Sequence, residues 1–286
     1  MPHSPDSSTI LRLNERRQMA VLAELANEHE HLPQALGGGV VAFMPGAHWL
    51  CGAIGCNLDS PLTPQGARYI ADYVASRGGR PRIDLTDESG EAAYGAVAQA
   101  GLVLDHAERV LARDLSAPVE PPAITGLTIE RLDPTNRADL RRHVEHTVGG
   151  FMPPGVQPTE GEIEAAARSQ AHPRSRGFFA FIDDQLAGTC GMEIVELQPN
   201  ADAPTVKVAS LWGAVVGEPY RKQGIQRALI AHRLLEGQQA GCTIAVIECK
   251  PGIPTERNAG RLGFALAYTR LAFKAPQDPG EPENIV

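Results

Sequence analysis

The chain has 286 residues, of which 43% are hydrophobic and 21% are charged, and its formal net charge is −8. This length and composition suit two globular domains of ordinary size. The negative charge argues against a nucleic-acid-binding protein, because such affinity depends on Lys and Arg that neutralise phosphates. No apolar run approaches the roughly 20 residues of a membrane span, and the N-terminus lacks the apolar core of a signal peptide. We therefore expect a soluble, cytoplasmic protein with no membrane or nucleic-acid partner.

The cysteine and histidine patterns predict no metal site. The five cysteines are odd in number and include no C-x-x-C pair, so reduced thiols are the simplest interpretation. His29 and His31 stand two apart without a third ligand at metal spacing. We interpret them as the polar end of a helix.

In the N-terminal half, Thr63 and Pro64 have the residue types of an N-cap and a first helical position. A Pro-rich segment over 116–122 then predicts a stiff, extended linker. The last residues lack apolar periodicity, which is typical of disorder. We predict an N-terminal domain over 1–117, a linker over 118–125, a second domain over 126–275 and a disordered tail over 276–286.

The C-terminal half alternates between strand and helix patterns. Strands are predicted over 127–132, 178–182, 186–194, 206–216, 243–247 and 264–273, and helices over 134–148, 160–170, 223–239 and 255–262. This order predicts an α/β fold, an α+β arrangement around a mixed sheet.

The two halves share features at a nearly constant spacing. Gly52-Ala53 precedes Gly213-Ala214 by about 160 residues, and a Trp stands just before each pair. This spacing predicts a duplicated fold whose first copy is shortened.

The junction between the strand over 206–216 and the helix that follows has the features of an anion site. It contains Pro219-Tyr220-Arg221-Lys222-Gln223-Gly224-Ile225-Gln226. The first helical turn has N–H groups without intrahelical partners, and the helix dipole adds positive charge there. Gly224 allows close approach to the backbone, so the sequence predicts a bound pyrophosphate. The equivalent turn of the first half contains Pro64 and Asp59, which do not suit an anion.

Together with the later segment over 251–264, this junction resembles the GNAT superfamily of acyl-CoA-dependent N-acyltransferases. The resemblance covers about residues 126–274 and implies a GNAT fold, preceded by a degenerate GNAT-like domain, with acetyl-CoA as co-substrate. It implies that the cofactor is held by Ala214, Val215, Val216, Arg221, Lys222, Gln223, Gly224, Ile225, Gln226, Arg227, Thr255 and Asn258. It also implies that the strand over 206–216 separates from the strand over 243–247 to admit the pantetheine arm.

Three positions depart from the family pattern. Gln226 stands where the family has Gly or Ala, and we expect its side chain to point outward. Ala259 replaces the usual tyrosine acid, and Trp212 lies about where the usual strand glutamate would be. The catalytic candidates are therefore Glu193, Glu248 and Tyr268, with Glu145, His143 and His146 near a variable loop over 149–158.

These observations predict an N-acetyltransferase that moves acetyl from acetyl-CoA directly to a primary amine of a small molecule. The alternatives are a non-catalytic acyl-CoA-binding sensor or scaffold, and a protein or peptide N-acetyltransferase. A homodimer is possible, and the residues contain no pattern that specifies the oligomeric state.

Overall fold

The computed structural model describes residues 6–276, which form two compact units. Among the described residues, the N-terminal unit comprises 6–110 and 267–276, and the C-terminal unit comprises Leu111–Leu266. The sequence placed the boundary at 117/118 and assigned the last strand to the C-terminal domain. The last strand belongs to the N-terminal unit because it pairs with Arg82–Thr86. Apart from Pro276, the predicted tail lies outside the described residues.

The N-terminal unit surrounds one sheet with three helices. The helices are α1 (Ser7–Leu25), α2 (Pro64–Ala75) and α3 (Gly90–Gln99), and the strands are β1 (Glu28–His31), β2 (Val40–Phe43), β3 (Gly52–Ile54), β4 (Arg82–Thr86), β5 (Val103–Asp114, of which 111–114 belong to the other unit) and β11 (Ala265–Lys274, from residue 267). The order of neighbouring strands is β1-β2-β3-β4-β11-β5. Strands β3 and β4 pair parallel, whereas β1 with β2, β2 with β3, and β4 with β11 pair antiparallel.

His29 and His31 lie on β1 with exposed side chains, so the expectation that they end a helix was wrong. Among residues 6–276, no three His, Cys, Asp or Glu side chains are grouped as a metal site would need.

Helix α2 begins as its sequence predicted. Thr63 is the N-cap and its Oγ1 accepts a hydrogen bond of 3.1 Å from the N–H of Gly66, while Pro64 occupies the first helical position. This side-chain cap occupies a donor that an anion would otherwise need.

The C-terminal unit places helices on a sheet with the neighbour order β10-β9-β8-β7-β6. Its elements are β6 (Leu127–Arg131), α4 (Arg137–Gly149), α5 (Glu160–Ala171), β7 (Ser175–Ile182), β8 (Gln185–Leu197), β9 (Val206–Val216), α6 (Ile225–Gln239), β10 (Ile244–Cys249) and α7 (Pro254–Gly260). Strands β6 to β9 pair antiparallel, and β10 pairs parallel to β9. This is the mixed α/β fold that the sequence predicted.

The two faces of β9 meet different helices. The side chain of Val215 lies against Gly150 at the end of α4, whereas Ala214 and Val216 pack into the main core, which includes Leu229 of α6. Because successive side chains of a strand point to opposite faces, α4 and α6 lie on opposite sides of the sheet.

The Pro-rich segment is packed rather than free. Arg113 donates hydrogen bonds to the carbonyls of Ala117 and Pro118. Val119 and Ile124 lie against the core of the C-terminal unit. The segment predicted as a linker therefore belongs to the surface of that unit.

Each unit contains a strand, a helix and a second strand parallel to the first: β3-α2-β4 in one and β9-α6-β10 in the other. This shared arrangement is consistent with the predicted duplication. No helix in the described part of the chain combines the length and the apolar character that crossing a bilayer requires.

Candidate active site

Strands β9 and β10 are paired over only part of their length. Their register runs from Val208 opposite Ile244 to Leu211 opposite Ile247, although β9 continues to Val216 and β10 to Cys249. Beyond Leu211 the strand residues have no recorded partner across this pair. The sheet therefore has an opening on the side where the resemblance to the GNAT superfamily implies a pantetheine cleft.

Helix α6 begins at this opening with an uncapped turn. Gly224 is its N-cap with φ 86°, and no side chain caps the helix. Lys222 also has a positive φ, of 64°, a backbone conformation that costs a non-glycine residue energy. The strained turn leaves the first amides of α6 available to a ligand, in contrast to α2, where Thr63 caps the helix.

A cavity of about 870 Å³ connects the opening with the start of α6. All the predicted cofactor-binding residues except Thr255 line it, together with Gly150, Phe151, Tyr220, Pro254, Arg257 and Arg261. Every charged side chain among the lining residues is basic: Arg221, Lys222, Arg227, Arg257 and Arg261. Basic groups and unpaired amides together favour a large anionic ligand that carries phosphates.

The sequence suggested that the side chain of Gln226 points outward, but in the structure it points towards α7. Its Nε2 donates to Oγ1 of Thr255 at 2.9 Å, and its Oε1 accepts from Nδ2 of Asn258 at 2.7 Å. Thus Gln226 joins the start of α6 to α7 and engages the two α7 residues that were predicted to contact CoA.

Removing this connection should weaken cofactor binding. We expect Gln226→Ala to raise the Kd for acetyl-CoA about three- to tenfold. Each lost hydrogen bond stabilises the position of α7 against α6 by about 1 kcal/mol. Calorimetry on Gln226→Ala, Asn258→Ala and the double variant would measure the coupling. Strictly additive effects, or tighter binding by Gln226→Ala, would contradict this role.

The three predicted catalytic residues lie in different surroundings. Glu193 is buried on β8, opposite Ser175 and Ser210, and its Oε2 is 3.8 Å from Nε of Arg174. None of the three predicted catalytic residues is among those that line the cavity. The position of Glu193 in the strand ladder is that of a structural residue.

Glu248 and Tyr268 also differ from each other. Glu248 is half-buried on β10, one residue beyond the last pair with β9, and so remains a candidate at the opening. Tyr268 lies in the N-terminal unit, where its hydroxyl donates to Oε1 of Glu15 at 2.6 Å and accepts from Nδ2 of Asn14 at 2.9 Å. This buried network gives Tyr268 a structural role and does not support the predicted catalytic one.

The end of α4 contains His146, one of the sequence candidates near the variable loop over 149–158. Nδ1 of His146 lies 3.0 Å from Oγ1 of Thr189 on β8. A Cβ atom on Gly217, the residue after β9, would be 4.0 Å from its Nε2. Burial and then the charge of Arg142 lower the pKa of His146 below the ordinary 6.5. The imidazole is therefore neutral at neutral pH and able to accept a proton.

The comparison with protein families identifies this unit. Residues 147–264 match the model described as the acetyltransferase (GNAT) family. Within the C-terminal unit, residues 147–264 form a GNAT-family acetyltransferase domain. The matched segment runs from the end of α4 through α7 and contains every residue that lines the cavity.

Solved structures share the fold over nearly the whole chain. A GCN5-related N-acetyltransferase from Kribbella flavida superimposes with a TM-score of 0.64 at 14% identity, covering 96% of this chain and 97% of that one. A tandem GNAT protein from the clavulanic acid biosynthesis pathway gives a TM-score of 0.60 at 13% identity, covering 97% and 91%. A tandem arrangement of two GNAT-like units is consistent with this likeness. No protein of curated function matches the sequence.

Proposed function

We propose that this GNAT domain transfers acetyl from acetyl-CoA to a primary amine of a small molecule by direct attack of the amine on the thioester. The observation that carries the proposal is the cavity that joins the β9–β10 opening to the uncapped start of α6. The cavity extends from β9 to the N-terminus of α6. This extent suits a ligand with a thioester at one end and a pyrophosphate at the other.

The cofactor would be held by groups of three kinds. The amides at the start of α6 would bind the pyrophosphate, and the five basic side chains of the lining would balance its charge and that of further phosphates. The backbone of Ala214 and Val216 would pair with the pantetheine arm. When bound, acetyl-CoA supplies an activated acyl group with a thiolate leaving group.

The acceptor would enter from the side of α4. Gly150 and Phe151, which begin the loop between α4 and α5, line the cavity. His146 lies one turn earlier on α4, and its neutral imidazole would take the proton that the attacking amine loses.

The test is turnover with a panel of small primary amines and peptides. Thiol release from acetyl-CoA, with the mass of the acetylated product, should identify a small amine as acceptor. Acetyl-CoA binding without acetylation of any amine would support the sensor or scaffold alternative. Acetylation of peptides alone would support the protein N-acetyltransferase alternative.

A further inference from the structure

Strands β8 and β9 contain a bulge next to the cavity. Thr189 pairs with Val215, but Gly191 pairs with Trp212, so β9 has one more residue than β8 between these pairs. Gly213, within the bulge, has φ 60°. A bulge interrupts the hydrogen-bond ladder and leaves backbone groups without their usual strand partners.

Side chains from both faces of the sheet bond to the carbonyls at this bulge. From α4, Nε2 of His143 lies 3.2 Å from the carbonyl oxygen of Cys190. From α6, Nη1 of Arg233 donates to the carbonyl of Gly191 at 2.8 Å and to that of Trp212 at 3.1 Å. Burial lowers the pKa of His143 to about 4, so its ring is neutral and donates from Nε2.

Arg233 is a fully buried cation that donates hydrogen bonds to backbone carbonyl oxygens. Its Nε donates to the carbonyl of Leu229, and its Nη2 is buried without a hydrogen-bond partner among the described residues. No carboxylate within the described part of the chain forms a recorded ion pair with it. Burial lowers its pKa, yet an arginine remains charged in proteins.

A buried charge without a carboxylate partner destabilises the folded state. The position of Arg233 at the bulge suggests a function that offsets this destabilisation. The carbonyl of Trp212 and the N–H of Gly213 belong to one peptide group. A charged donor on the carbonyl fixes that group and polarises its N–H. The next residue, Ala214, is the first of β9 to line the cavity. Acyl transfer requires backbone donors that are held in place before charge develops on the thioester oxygen.

We propose that Arg233 is a positioning residue that holds the β8–β9 bulge, so that the backbone at 212–214 is presented to the thioester carbonyl of acetyl-CoA. This inference rests on the proposed function, because it assumes that the thioester lies at the bulge. It predicts an effect on the polarisation of the bound thioester that exceeds any effect on cofactor affinity.

The experiment compares wild type with Arg233→Met and Arg233→Lys by infrared spectroscopy of acetyl-CoA labelled with ¹³C at the thioester carbonyl. In wild type, binding should shift the carbonyl band to lower frequency. Arg233→Met should lose most of that shift and about ten- to a hundredfold in kcat, since small misplacements of reacting groups have effects of this size. Its Kd for acetyl-CoA should stay within about threefold of wild type. Arg233→Lys should restore part of the shift, because an ammonium keeps the charge without the planar fork.

Arg113→Met is the matched control for the loss of a buried arginine. Arg113 is also buried and donates to backbone carbonyls, those of Leu262, Ala117 and Pro118. The Arg113→Met variant should have a lower melting temperature, but acetyl-CoA bound to it should show the same carbonyl band shift as in wild type. If Arg233→Met keeps the full shift, or loses affinity in parallel with its melting temperature at unchanged kcat, Arg233 is only structural and the proposal fails.

The spectroscopic measurement needs no acceptor, so the two proposals can fail separately. A wild type that shifts the band but acetylates no amine contradicts the proposed function, and the Arg233 comparison can still be made. A wild type that turns over while its bound thioester band is unshifted contradicts the Arg233 proposal alone.

Discussion

Gly224→Asp should lower the affinity for acetyl-CoA by at least about a hundredfold. Gly224 is the N-cap of α6 with φ 86° and lies where a pyrophosphate would meet the first amides of the helix. Two unit charges about 5 Å apart repel by about 3 kcal/mol at an effective dielectric constant of about 20, which corresponds to about a hundredfold in Kd. Isothermal calorimetry with wild type and variant measures the loss.

The structure separates the causes of this loss. A Cβ atom on Gly224 would lie 3.5 Å from Cδ1 of Ile124, an ordinary contact, so crowding by the protein is not the reason. Gly224→Asn has the same shape without the charge, and asparagine tolerates positive φ almost as well as any non-glycine residue. We expect only about a three- to tenfold loss for Asn. The difference between Asp and Asn should shrink at high salt, because screening reduces repulsion between exposed charges. Equal affinities for the two variants would contradict a phosphate site here.

Thr63→Asp, in the turn that begins α2, is the control. Asp is as good an N-cap as Thr, so α2 should keep its start. Because Thr63 already caps α2 with its own side chain, no anion is expected there and the affinity for acetyl-CoA should not change. A large loss would mean that the N-terminal unit takes part in cofactor binding.

Local patterns predicted the C-terminal elements well. Strand β9 has the predicted limits of 206–216, and α6 begins at Ile225 and ends at Gln239 within the predicted 223–239. Period-2 and period-3.6 patterns are properties of neighbouring residues, which a sequence displays directly. The glycine turn at α6 was predictable for the same reason, since positive φ and free amides are both local features.

The features that were not predicted depend on partners distant in the chain. Gln226 finds Thr255 and Asn258 through the packing of α6 on α7. Tyr268 finds Glu15 because β11 pairs with β4 in the N-terminal unit. Arg233 was not selected, because its helical position resembles any basic residue until the bulge carbonyls are seen beside it. Strand order and register decide such contacts, and neither is written in residue types alone.

We propose that His146, rather than Glu193 or Glu248, is the general base of the reaction. Its Nδ1 is engaged by Thr189, which orients the ring and leaves Nε2 for the acceptor. Glu193 is held in the strand ladder. Glu248, at the end of the β9–β10 pairing, is the competing candidate, and Glu248→Gln tests it in the same assay.

His146→Gln should lower kcat/KM by about a hundred- to ten-thousandfold, the range for loss of a general base, and leave the Kd for acetyl-CoA within about threefold. In wild type, kcat/KM should rise with pH through the pKa of His146, which lies below 6.5 because of burial and Arg142. The variant should lack this acidic limb. His232→Gln is the matched control, since burial also lowers the pKa of half-buried His232 while its ring packs against Phe178. Steady-state rates with the identified amine between about pH 5 and 8 give both profiles. If His146→Gln keeps the wild-type limb and rate while Glu248→Gln loses them, the proton passes to Glu248 instead.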